Sequence, residues 1–85
     1  MSIFTRSNFV LSNDDIVQLT PRGVEYSERI NFGGTKGQVY LTLKESGNSS
    51  IRDLSEDTRI NTGTVKKVLQ DGMNRGYVRK LMSGE

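Results

Sequence analysis

Chemistry in this chain of 85 residues has to come from lysine, arginine, amide and hydroxyl side chains, because the sequence holds no histidine and no cysteine. Those absences exclude disulfides, thiol nucleophiles, a Cys/His zinc site and imidazole acid–base catalysis within it. Carboxylates stand side by side twice, as Asp14-Asp15 and Glu56-Asp57. Neighbours in sequence diverge on a strand or a helix, and no base, nucleophile or metal-ligand set accompanies either pair. The first pair reads as a turn and the second as a solvated helix face. Neither an enzymatic activity nor a cofactor is expected. Asn31 to Gly37, NFGGTKG, is the one glycine-rich run. Glycines let backbone amides converge on an anion, but the run lacks the G-x-x-x-x-G-K-[ST] spacing and no strand precedes it. A connection between helices explains it, with Thr35 as the next cap.

The densest grouping of polar side chains with reach lies between residues 62 and 79. On a helical wheel Val65, Val68, Leu69, Gly72 and Met73 form one apolar stripe. Gly63, Lys67, Gln70 and Asn74 face the opposite way, with Lys66 and Asp71 at the flanks. Thr62, Gly63 and Thr64 are small enough to let that end of a helix approach a duplex. Lys66, Lys67, Gln70 and Asn74 then reach phosphates or base edges, and Arg79 adds a cation just beyond. Upstream, Ser49 and Ser50 stand at another helix start, where hydroxyls and free amides can meet a phosphate. The competing reading of the lysines is plain: a charged outer face that keeps a helix in water.

Elements must position these residues. Ser50 with Asp53 three residues on is a helix start, giving a helix over 51–58 with Ile51 and Leu54 on one face. Arg59-Ile60-Asn61 interrupts it, and Thr62 caps a second helix over 62–75. Gly76 ends that helix, and a strand over 77–81 leaves it. Before them, Phe9, Leu11, Val17 and Leu19 alternate about the polar cluster 12–15, which predicts a β-hairpin over 7–20. Thr20-Pro21 starts a helix over 21–32 that carries the apolar pair Tyr26 and Ile30. A further helix over 36–46 turns Val39, Tyr40 and Leu43 inward and Leu41 elsewhere, and Gly47 stops it; 47–50 is then a connecting loop. The expectation is one α+β domain over 1–85. It has a three-helix core (36–46, 51–58, 62–75) and an N-terminal hairpin, in an order β-β-α-α-α-β.

The phrase I-x-x-L-S…I-N-T-G-T-V-x-x-V-L…R-G-Y-V, within residues 51–78, resembles the helix-turn-helix of winged-helix DNA-binding domains. MarR-like and related prokaryotic and archaeal transcriptional regulators carry that motif. The resemblance implies a winged-helix-like fold, double-stranded DNA as partner, and 62–75 as the recognition helix in the major groove. The chain departs from the pattern twice. Arg59 stands where the turn often has glycine, and Gly72 where a large apolar residue is usual. A second phrase, Leu19-Thr20-Pro21-Arg22-Gly23, is similar to one with which the last strand of a wing runs into a following helix. In the family it comes after the helix-turn-helix; here it comes before. Either the N-terminal hairpin supplies the strands that pair with 77–81, or it belongs to a neighbouring protomer in a homodimer. The loop 12–15 would then take the wing's side, and its acids make it a poor phosphate binder.

Charge is uneven although the net value is only +2, with a pI near 9.2. Lys66, Lys67, Arg75, Arg79 and Lys80 crowd into fifteen residues against Asp71 alone, while Glu56 and Asp57 precede them. A basic face can hide behind a small net charge. No apolar run has the length of a membrane helix and no signal-peptide core opens the chain, so a cytoplasmic location without a membrane partner is expected. The alternative to DNA binding is a winged-helix module for protein interaction or assembly, including a dimer. The outer face of helix 62–75 separates the two, since an interaction module would expose aromatic or aliphatic anchors there.

Overall fold

The four residues Ile16-Val17-Gln18-Leu19 alternate in the way a half-buried strand requires, and they lie at the centre of the sheet. The computed structural model describes residues 11–29 and 34–82. The elements are β1 (Ile16–Leu19), α1 (Pro21–Arg29), α2 (Gly34–Ser46), β2 (Asn48–Ser50), α3 (Ile51–Thr58), α4 (Thr62–Arg75) and β3 (Val78–Met82). The fold is α+β, with four helices and a three-stranded antiparallel sheet in the order β2-β1-β3. Ile16, Val17 and Gln18 pair with Ser50, Ser49 and Asn48 on one side. On the other side Val17, Gln18 and Leu19 pair with Lys80, Arg79 and Val78, with a register irregularity at Ile16/Val17. Val17 and Leu19 point into the core.

This corrects the expected strand pairing. Both edges of β1 are taken by β2 and β3, and the strand 77–81 does pair with the N-terminal strand as expected. The hairpin's first strand, 7–11, lies outside the described residues except for Leu11, which is buried and belongs to no strand. Residues 12–15 do turn: the Asp15 amide donates to the Ser12 carbonyl (3.1 Å), and the Ser12 amide donates to Asp15 Oδ2 (2.8 Å). Residues 48–50, read as loop, are a strand. Gly47, at φ 86, reverses the chain after α2 and lays Asn48-Ser49-Ser50 along β1. Asparagine and serine are weak strand formers, so only the pairing partner explains them.

Helix ends follow local chemistry with two shifts. Thr20 caps α1 as expected, its Oγ1 accepting from the Gly23 amide at 3.1 Å. Ser50 caps α3, its Oγ accepting from the Asp53 amide at 3.0 Å. The cap of α4 is Asn61 and not Thr62: Asn61 is extended (φ −64, ψ 155) and its Oδ1 accepts from the Thr64 amide at 2.9 Å. Helix α2 begins at Gly34, so Thr35 lies inside it and the second half of the glycine-rich run is helical. Residues 30–33, with Ile30 of the expected apolar pair, lie outside the described residues.

Between sheet and helices sit Leu11, Val17, Leu19, Val39, Tyr40, Leu43, Ile51, Leu54, Val65, Leu69 and Val78. Tyr40 passes beneath α4 at Gly72. A Cβ there would lie 2.5 Å from the Tyr40 hydroxyl and 2.7 Å from Val78 Cγ2, so glycine is what lets tyrosine fill this layer. Gly23 has an equal constraint, since a Cβ on it would collide with the Tyr77 carbonyl oxygen.

Candidate nucleic-acid interface

Burial of Val65, Leu69 and Gly72 fixes how α4 is rolled, and the roll decides which side chains face water. Gly63, Lys67 and Asn74 are exposed; Thr62, Thr64, Lys66 and Gln70 are half-buried. The first turn is open, for a Cβ on Gly63 would meet only Asn61 Oδ1, at 3.3 Å. Seven of the ten expected site residues therefore share one helix and flank or form its outer face.

The other three do not join them. Ser49 and Ser50 are buried, at 9% and 8% exposure. The Ser49 hydroxyl donates to the Ser50 carbonyl (3.2 Å), and the Ser50 hydroxyl is the α3 cap. Pairing of β2 with β1 turns them inward, so neither is offered to a phosphate. Arg79 is exposed but carried by the sheet, where its Nε and Nη2 both donate to Gln18 Oε1, at 3.1 and 2.7 Å. That bond holds the guanidinium over β1.

Charge pairing sorts the cations. Arg29 pairs with Glu25 (3.8 Å), Lys44 with Glu28 (3.1 Å), Arg52 with Asp14 (2.8 Å), Arg75 with Asp71 (3.0 Å) and Lys80 with Asp15 (3.7 Å). The hydrogen bond that Arg75 Nε donates to Asp71, and then the Asp71 charge, raise the pKa of Arg75 above its ordinary value. Among the described residues Lys66 and Lys67 have no carboxylate partner, and neither has Arg59 in the turn before α4. Arg59 is not among the expected site residues. Its signal was in the sequence, a cation where the motif's turn often has glycine, and the structure adds that it is exposed, at φ 63. Acids remain close by, because α3 carries Asp53, Glu56 and Asp57 on its exposed side. The loop 12–15 is tied down by the Arg52 amide, which donates to the Asn13 carbonyl (2.9 Å). Both of its acids are paired with cations, which lowers the repulsion expected of it.

No helix among the described residues is long and apolar enough to cross a membrane. Comparison with protein-family models, with curated proteins and with solved structures finds no match for the chain in any of the three.

Proposed function

We propose that the chain is a winged-helix-like domain that binds double-stranded DNA and serves a transcriptional regulator, with α4 in the major groove. One observation carries this reading. The cations on and just before the outer side of α4, Arg59, Lys66 and Lys67, have no carboxylate partner among the described residues, whereas Arg29, Lys44, Arg52, Arg75 and Lys80 each have one; Arg22, Lys36 and Arg79, which also lack one, lie off that helix. A cation already bound to a carboxylate has little to offer a phosphate, and an unpaired one releases counterions when it meets the backbone. Gln70 and Asn74 add amides suited to an adenine edge. The α3–turn–α4 arrangement supports the same reading. So does β1, which lies beside β3 where the family's wing would return, and which leads through Thr20-Pro21 into α1.

A second reading, a module for protein interaction or a homodimer, is favoured by Leu41 and Leu81, which are 54% and 42% exposed. Neither lies on α4, so both readings can hold at once. Fluorescence anisotropy with a labelled random duplex at about 50 and about 200 mM salt tests the first. Around four phosphate contacts should make affinity fall on the order of a hundredfold. Lys66→Ala with Lys67→Ala should weaken binding and flatten that dependence. If the double variant binds as the parent does, α4 is not the interface.

A further inference from the structure

Away from α4, one face of α1 repeats Arg22, Glu25, Tyr26 and Arg29 at spacings of three, four and seven. Together with Tyr77 these residues line an open cleft of about 130 Å³. Tyr26 and Tyr77 form its rigid wall, stacked with centroids 4.1 Å apart and planes 12° from parallel. The Arg22 guanidinium carbon lies 5.9 Å from the Tyr77 ring centre. Lys36 Nζ sits 5.2 Å from the Tyr26 ring centre and donates to its hydroxyl at 2.8 Å. Three cations, Arg22, Arg29 and Lys36, thus border the cleft and its ring wall against one carboxylate of the lining, Glu25. Arg22 has no carboxylate partner among the described residues. The Arg29–Glu25 pair is 3.8 Å long with both side chains 68% exposed, a contact weak enough to exchange for a better anion.

We propose that this cleft binds a phosphate group, with Arg22 and Arg29 as its ligands. Seven residues of helix set the backbones of the two arginines about 10 Å apart along the axis, and both residues line the cleft. A carboxylate presents one edge and is satisfied by a single fork, whereas a phosphate presents several edges and can take both. The Tyr77 ring, within cation–π range of Arg22, favours a guanidinium over it before the ligand arrives and so reduces the ordering cost. The cleft is smaller than the roughly 300–1,000 Å³ of sites for drug-sized ligands, which fits a phosphate group and not a whole nucleotide. The group can belong to a free phosphate or to a nucleic-acid backbone.

The test is a titration of the ¹⁵N-labelled 85-residue chain with inorganic phosphate at constant ionic strength, followed at the arginine Nε–H signals. Saturable shifts of Arg22 and Arg29 are expected. Arg22→Gln should weaken binding at least tenfold, and Arg52→Gln, which only breaks the Asp14 pair, should leave it unchanged. Glu25→Gln should tighten it severalfold, because a competing carboxylate has gone. Shifts that grow linearly without saturating, or equal affinity in Arg22→Gln, would overturn the proposal. Duplex binding by Arg22→Gln then identifies the source. A salt dependence smaller by about one phosphate contact assigns the cleft to the DNA backbone, and unchanged duplex binding assigns it to a free phosphate. The phosphate titration stands even if the parent chain binds no duplex, so the two readings fail separately.

Discussion

Two residues that depart from the helix-turn-helix pattern invert what helix propensity alone would say. Gly72 lies inside α4, where alanine is favoured by roughly 1 kcal/mol. Yet its missing Cβ is occupied by the Tyr40 hydroxyl and Val78. Gly72→Ala should therefore destabilise the fold, by about 1–3 kcal/mol for overpacking less the propensity gain. Urea unfolding measures it, and a more stable variant would show that Tyr40 yields freely. Arg59 is the reverse case, a side chain in the left-handed region at φ 63 and ψ 30. Arg59→Gly should stabilise by about 0.5–1 kcal/mol, a left-handed residue costing roughly 1–2 kcal/mol and the glycine chain's extra unfolded freedom returning part of it. The same variant should bind duplex DNA less tightly if the turn cation meets a phosphate, so stability and binding move in opposite directions. The sequence showed that both positions were unusual. What it could not show was Tyr40, thirty-two residues away, under Gly72.

Elements were legible where their signals were local. Ser50 with Asp53, Thr20 with Pro21 and the apolar stripe of α4 all placed helices that the structure contains. Signals failed where a partner decides the outcome. Asn48-Ser49-Ser50 is strand only because β1 lies beside it, and burial there keeps Ser49 and Ser50 from the phosphate contacts expected of them. The same dependence on neighbours governs Tyr40 of α2, which has 0% exposure and packs edge-on against Tyr26 of α1 with ring centres 5.6 Å apart. Burial, followed by the charges of Tyr26 and Asp71, pushes its pKa up to about 12. In the unfolded chain tyrosine loses its proton near pH 10. The unfolded state thus releases the proton first, so this contribution is complete below about pH 10 and is lost as pH rises towards 12. Stability should drop by on the order of 2–3 kcal/mol across that window. Chemical unfolding at pH 9, 10, 11 and 12 measures it, and Tyr40→Phe should remove most of the slope. An unchanged slope in that variant would place the titration elsewhere.

At the scale of the whole molecule, the order of segments along the chain matters less than which of them meet. Segment β1–α1 is held at the α4–β3 junction by two hydrogen bonds and a ring stack. The Thr20 hydroxyl donates to the Gly76 carbonyl (2.7 Å), the Thr20 amide donates to the Tyr77 carbonyl (2.9 Å), and Tyr26 stacks on Tyr77. Gly23 permits the approach. Meanwhile β3 ends beside the start of β1, with Met82 opposite Ile16. A rearranged chain that begins at Gly34 should therefore build the same sheet. In it, residue 85 is joined by a short glycine–serine linker to Leu11, and the chain continues to residue 33. Antiparallel neighbours are what a hairpin connection joins, and joining strands that already pair costs little loop entropy. The order would become α2-β2-α3-α4-β3-β1-α1, in which Leu19-Thr20-Pro21-Arg22-Gly23 follows α3 and α4, the order that the proposed winged-helix reading expects. Amide spectra that overlay on those of the parent, with duplex affinity within severalfold, would establish that pairing and not chain order defines the fold. A variant that stays unfolded at 25 °C would show that residues 1–10, or the natural connection over 30–33, contribute stability that the three contacts at Gly76 and Tyr77 do not replace.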